Sequence, residues 1–112
     1  MKLYICLFIC FFYTSVHSKE IILKCKETTG TGRHDIFKIN EPEFSWYYNS
    51  KWYELAKSDK GVAKDWQISF YKDKIKLYNT KTEWFREIDL IEMTAFMRFP
   101  SGELYLYECS KI

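Results

Sequence analysis

The chain has 112 residues, carries 17 Lys plus Arg against 15 Asp plus Glu for a formal net charge of +2, and is 20% Trp, Tyr and Phe. That length suits one domain and is too short for two. The two signs of charge are interspersed along the chain, which argues against the one-signed patch that steers proteins to nucleic acid or anionic lipid.

Met1-Lys2 is followed by eleven apolar residues at 3–13, then by Thr14-Ser15-Val16-His17-Ser18 and the first charged pair, Lys19-Glu20. A cation, an apolar core and small residues at a cut site are the parts of a secretory signal peptide, so 1–18 is assigned as one, cut after Ser18. Eleven apolar residues fall short of the ~20 that span a bilayer, which argues against a retained anchor. Leu7-Phe8-Ile9-Cys10 has the outline of a lipobox, but Ile9 is bulky where a small residue is required and the apolar run continues past Cys10, so lipidation is rejected.

Cleavage leaves residues 19–112 as a single domain of 94 residues with a periplasmic or secreted fate and no membrane span. Cys6 and Cys10 leave with the leader. An exported chain with one remaining thiol pair reads as a structural disulfide, Cys25 to Cys109.

Residues 19–28 read as a first strand carrying Cys25, ending at a flexible Gly30-Thr31-Gly32. Residues 34–40 form a second, with Ile36 and Ile39 as its apolar positions, stopped by Glu41-Pro42. Residues 44–48 and 51–56 flank Asn49-Ser50, a two-residue hairpin signal. Ser58-Asp59-Lys60-Gly61 is a loop. Trp66, Ile68 and Phe70 alternate with Gln67, Ser69 and Tyr71 in a clean two-residue period, and a turn at Lys72-Asp73 sets Phe70 opposite Ile75 and Ile68 opposite Leu77. Residues 82–91 alternate Trp84, Ile88 and Leu90 against Glu87 and Asp89, with Arg86 anomalous among the inward set; helical spacing is the alternative there. Residues 93–99 and 103–109 complete the chain across Pro100-Ser101-Gly102, where Pro fixes one dihedral and Gly supplies the positive one.

Eight or nine short strands joined by short turns predict an all-β fold: a small antiparallel up-and-down barrel of about eight strands. First and last strands would pair, placing Cys25 beside Cys109, so one disulfide closes the barrel. Lys24-Cys25-Lys26 near the mature start, the hairpin Trp46-Tyr47-Tyr48-Asn49-Ser50-Lys51-Trp52 and the terminal Tyr105-Leu106-Tyr107-Glu108-Cys109 resemble small exported lipocalin-like barrels of bacteria. The resemblance implies a barrel and an envelope location. The c-type lysozyme inhibitors are similar in size, barrel shape and cysteine placement, but this chain lacks their Ser-Gly-Ala-containing loop, and no functional residue carries across.

Seventeen aromatic residues remain in the mature chain. Such residues fit half-buried pleated surfaces, and they also line ligand pockets and docking faces. Trp46, Tyr48, Trp52 and Trp66 are the candidate ligand contacts. Catalysis has little support: His34 is the sole mature histidine, no Gly-X-Ser-X-Gly occurs, and Gly30-Thr31-Gly32 lacks the rest of a phosphate loop. With both cysteines bridged, no metal or cofactor site is expected, and Asp35, Asp59, Asp65, Asp73 and Asp89 are placed in turns or on polar faces. The expectation is a noncatalytic exported binding module for a small apolar ligand or a protein partner. The alternative is an extracytoplasmic enzyme inhibitor of the lysozyme-inhibitor type, acting through residues 58–64. An open interior of roughly 300 Å³ favours the small ligand, and a filled one favours surface recognition.

Overall fold

Among the described residues nine antiparallel strands follow one another: β1 (Ile21–Glu27), β2 (His34–Asn40), β3 (Glu43–Tyr48), β4 (Lys51–Glu54), β5 (Trp66–Phe70), β6 (Lys74–Asn79), β7 (Phe85–Asp89), β8 (Thr94–Arg98) and β9 (Leu104–Lys111). This is a computed structural model, and it describes residues 19–56 and 64–112. The leader assigned to 1–18 therefore lies outside the described residues, as does most of the 58–64 loop.

All nine strands form one sheet in the order β4-β3-β2-β1-β9-β8-β7-β6-β5. β1 pairs with β9, and Cys25 stands directly opposite Cys109 in that ladder, joined to it by a disulfide. The terminal strands thus meet in the middle of the sheet rather than at a seam. The seam lies elsewhere. Among the described residues no ladder joins β4 to β5, so the body is an open half-barrel, which corrects the expectation of a closed one. Trp46 and Leu55 from one side of that opening and Trp66 from the other line one cavity.

Local chemistry explains the turns. Asn49 and Ser50 both take positive φ, 52° and 65°, the geometry of a type I′ hairpin turn whose twist matches its flanking strands. Tyr71 and Lys74 exchange backbone hydrogen bonds around Lys72-Asp73, and β5 pairs with β6 in the expected register, Phe70 with Ile75 and Ile68 with Leu77. Gly102 takes φ 90° in the β8–β9 turn, where Phe99 N–H donates to the Glu103 carbonyl. Residues 85–89 are a strand hydrogen-bonded on both sides, so the helical alternative does not form.

Alternation along each strand sends one set of side chains to the concave face, where Leu23, Phe37, Phe44, Ile75, Leu77 and Ile88 are fully buried. Each such side chain contributes about 1.5–3 kcal/mol on leaving water. In β2 the inward set is Asp35, Phe37 and Ile39. Ile36 faces outward, because a strand whose Ile39 points in must also point Phe37 in.

Candidate functional site

The two ends of the half-barrel differ. One carries the ends of β1, β3 and β6 and the starts of β5 and β7, and there a groove of about 590 Å³ opens across the seam. Its aromatic walls are Trp46 and Tyr48 from β3, Trp66 from β5 and Trp84 just before β7. The Trp46 and Tyr48 rings lie 4.9 Å apart on one face of β3, and Trp84 is braced edge-on against Phe99 at 5.2 Å. Arg33, Lys64 and Lys81 bring positive charge to the rim, where Asp65 is the one carboxylate among the described residues. Asn79 shapes the rim: its side-chain oxygen accepts from the backbone N–H groups of Lys81 and Thr82, an Asx turn that places Trp84.

Beneath the groove the interior is nearly full. A cavity of about 50 Å³ remains, and it shares Arg33, Trp46, Trp66 and Trp84 with the groove above. That is room for a few atoms, far below the ~300 Å³ at which ligand pockets begin.

The floor of this cavity is charged. Arg86, on β7, is 4% exposed and stands 3.4 Å from Asp35 on β2, which is 3% exposed. Its guanidinium also lies 5.0 Å over the Phe37 ring, 5.4 Å over Tyr107 and 5.9 Å over Trp46. Arg33, at the mouth, reaches the other Asp35 oxygen at 3.6 Å. Burial pushes the Arg86 guanidinium below its ordinary value, and Asp35 opposes that shift. The ion pair is loose: Asp35 Oδ2 makes no hydrogen bond, and Arg86 Nε, Trp46 Nε1 and Tyr107 Oη are likewise buried without a hydrogen-bond partner among the described residues.

Asp35 was expected on a polar face and lies in the core instead. Its register position, opposite the buried Cys25 and two residues before the inward Phe37, points it into the core. Arg86 already stood out as a charge at an inward position of an alternating strand. What no local pattern supplied was its partner, since β2 and β7 meet only through the curvature of the sheet.

Of the four aromatic candidates, Trp46, Tyr48 and Trp66 share the groove. Trp52 does not. It sits opposite Tyr47 on the outer face, its ring 5.1 Å from that of Tyr47 and capped by Lys38 Nζ at 4.5 Å. Trp84 was missed as a contact because it precedes β7 and only the Asx turn brings it to the rim. His34 is exposed at the start of β2, and among the described residues no three His, Cys, Asp or Glu side chains converge as metal ligands.

The connection from β1 to β2 is ordered by Glu27. Its buried carboxylate accepts hydrogen bonds from the backbone N–H and hydroxyl groups of both Thr29 and Thr31, and its own N–H donates to the Arg33 carbonyl at 2.8 Å. The Gly30-Thr31-Gly32 stretch, expected to be flexible, is thereby tied down, and Arg33 is delivered to the groove. The threonine hydroxyls foremost, with their N–H groups, hold the Glu27 carboxyl down at about 2. An unfolded glutamate titrates near 4.5, so this contribution to stability is complete above that pH and is lost as pH falls from there toward 2. The difference in urea midpoint between wild type and Glu27→Gln is expected to shrink across that interval; a constant difference would show that the carboxylate charge is not what orders the loop.

Comparison with protein-family models, curated proteins and solved structures finds no match to this chain. The functional reading therefore rests on the geometry above.

Proposed function

We propose that this protein is a noncatalytic exported binding domain that takes its ligand in the seam groove rather than in the barrel interior. The observation that carries the reading is the pairing of a filled interior with a groove of about 590 Å³ walled by Trp46, Tyr48, Trp66 and Trp84. A groove of that size lies within the range of small-molecule sites. Aromatic walls supply apolar contact at small entropic cost, because a ring has few torsions to freeze. The disulfide fits an oxidising compartment, and the leader-like first 18 residues fit export to it.

Native mass spectrometry of the protein recovered from an exporting host tests this. The expected result is a retained small-molecule adduct that disappears in the Tyr48→Ala, Trp84→Ala double variant. Both side chains are more than a third exposed but also pack on Trp46 and Phe99, so the variant should melt somewhat below wild type and still unfold cooperatively, and the adduct is sought on the folded protein. Failure to retain any adduct, or retention unaffected by the two substitutions, would overturn the groove as the binding site.

A further inference from the structure

The groove and its floor carry a specific chemical bias. Arg33, Lys64, Lys81 and Arg86 line the groove and the cavity beneath it, and the carboxylates beside them are Asp65 and Asp35. Among the described residues, four cations against two anions leave the site positive although the chain as a whole is nearly neutral. Neither Lys64 nor Lys81 has a carboxylate partner among the described residues.

Hydrogen-bonding capacity points the same way. Among the described residues, the Nε–H of Arg86, which is 4% exposed, has no acceptor, and the buried Trp46 Nε1–H has none either. Both residues line the cavity of about 50 Å³. A buried donor without an acceptor is costly, so a group that fills the cavity and accepts from two N–H donors would be held strongly. A carboxylate is such a group. It is acceptor-only, it is small enough for the space, and its charge-assisted hydrogen bonds are about twice as strong as neutral ones. Above it, the rings of Trp46, Trp66 and Trp84 offer flat apolar walls.

Resting on the groove as the binding site, we propose that the ligand is a carboxylate attached to a ring with an apolar face, with the carboxylate seated between Trp46 Nε1 and Arg86 Nε and the ring held among the tryptophans. An aromatic acid and an acidic sugar share that chemistry.

The test is a titration of the ¹⁵N-labelled protein, read at the tryptophan side-chain N–H resonances. The probes are indole-3-acetate against 3-methylindole, and glucuronate against glucose. Indole-3-acetate or glucuronate is expected to bind at least tenfold more tightly than its uncharged counterpart, and whichever acid binds more tightly identifies the source of the ring. The Trp46 Nε1–H resonance should move downfield as it gains an acceptor. Trp46→Phe keeps an aromatic ring and removes the donor, so it should weaken the acid about tenfold more than it weakens the uncharged probe. Raising the salt concentration should weaken only the acids.

Equal binding of acid and uncharged ring, or an acid affinity untouched by Trp46→Phe, would overturn the carboxylate while leaving the groove as a ring site. Groove resonances undisturbed by any probe at millimolar concentration would overturn the carboxylate inference, and the adduct measurement then decides the groove on its own.

Discussion

Replacing Arg86 with methionine is expected to lower the free energy of unfolding by about 3–5 kcal/mol, the usual cost of stranding one member of a buried ion pair. Asp35 would remain in the core, 3% exposed, with its inward partner gone. Arg33 would still face it at 3.6 Å, but that side chain is nearly half exposed and its attraction is screened by solvent. A loss of this size is a large part of the stability of a small domain. The Asp35→Leu, Arg86→Met double variant is expected to recover most of it, because no uncompensated charge is then left inside. Urea unfolding of the two variants distinguishes the cases. A single variant costing under about 1 kcal/mol, or a double variant no more stable than the single, would show that the pair is not what the core depends on.

Removing the disulfide is the second large effect. The bridge joins cysteines 84 positions apart, and the chain-entropy model assigns closure of a loop that long about 4.5 kcal/mol. For a domain of this size the corresponding fall in Tm is on the order of 20 °C. Because Cys25 and Cys109 face each other in the centre of the sheet, the β1–β9 ladder that they clamp also unites its two halves, β1–β4 and β5–β9. The Cys25→Ser, Cys109→Ser variant is therefore expected to lose the coupling between those halves along with thermal stability. Cys25→Ser alone should leave a titratable thiol at Cys109. A Tm that is the same with and without reductant would contradict this role for the bridge.

The two variants also bear on the groove. Its walls come from both halves of the sheet, Trp46 and Tyr48 from one and Trp66 and Trp84 from the other. The disulfide and the Asp35–Arg86 pair both join strands of the two halves, so loosening either is expected to widen the groove.

How much of this could be read beforehand varies by residue. The Asn49-Ser50 hairpin implied that Trp52 faces away from Trp46: a two-residue turn sets Tyr47 opposite Trp52, and neighbours of Trp46 point to the other face. Composition alone makes Trp52 as good a candidate contact as Trp46; register separates them. Trp46 and Tyr48, two positions apart on one strand, were bound to share a face. Glu27 gave a fainter signal, a carboxylate two residues beyond the inward Cys25 and followed by threonines two and four positions on. Nothing local marked Asp35 for burial beside Arg86, or marked the cavity that leaves Trp46 Nε1 without an acceptor.

By itself the sequence determined the all-β class, the strand count to within one, the β5–β6 register and the cysteine pair. These follow from side-chain alternation and turn dihedrals, which act over a few residues, and from the arithmetic of two thiols. Only the tertiary structure decided that the sheet stays open between β4 and β5, that the opening is an aromatic groove, and that an arginine and an aspartate from distant strands meet under it. Those outcomes depend on how nine strands curve together and on how much volume their inward side chains occupy, and neither quantity is carried by any short stretch of chain.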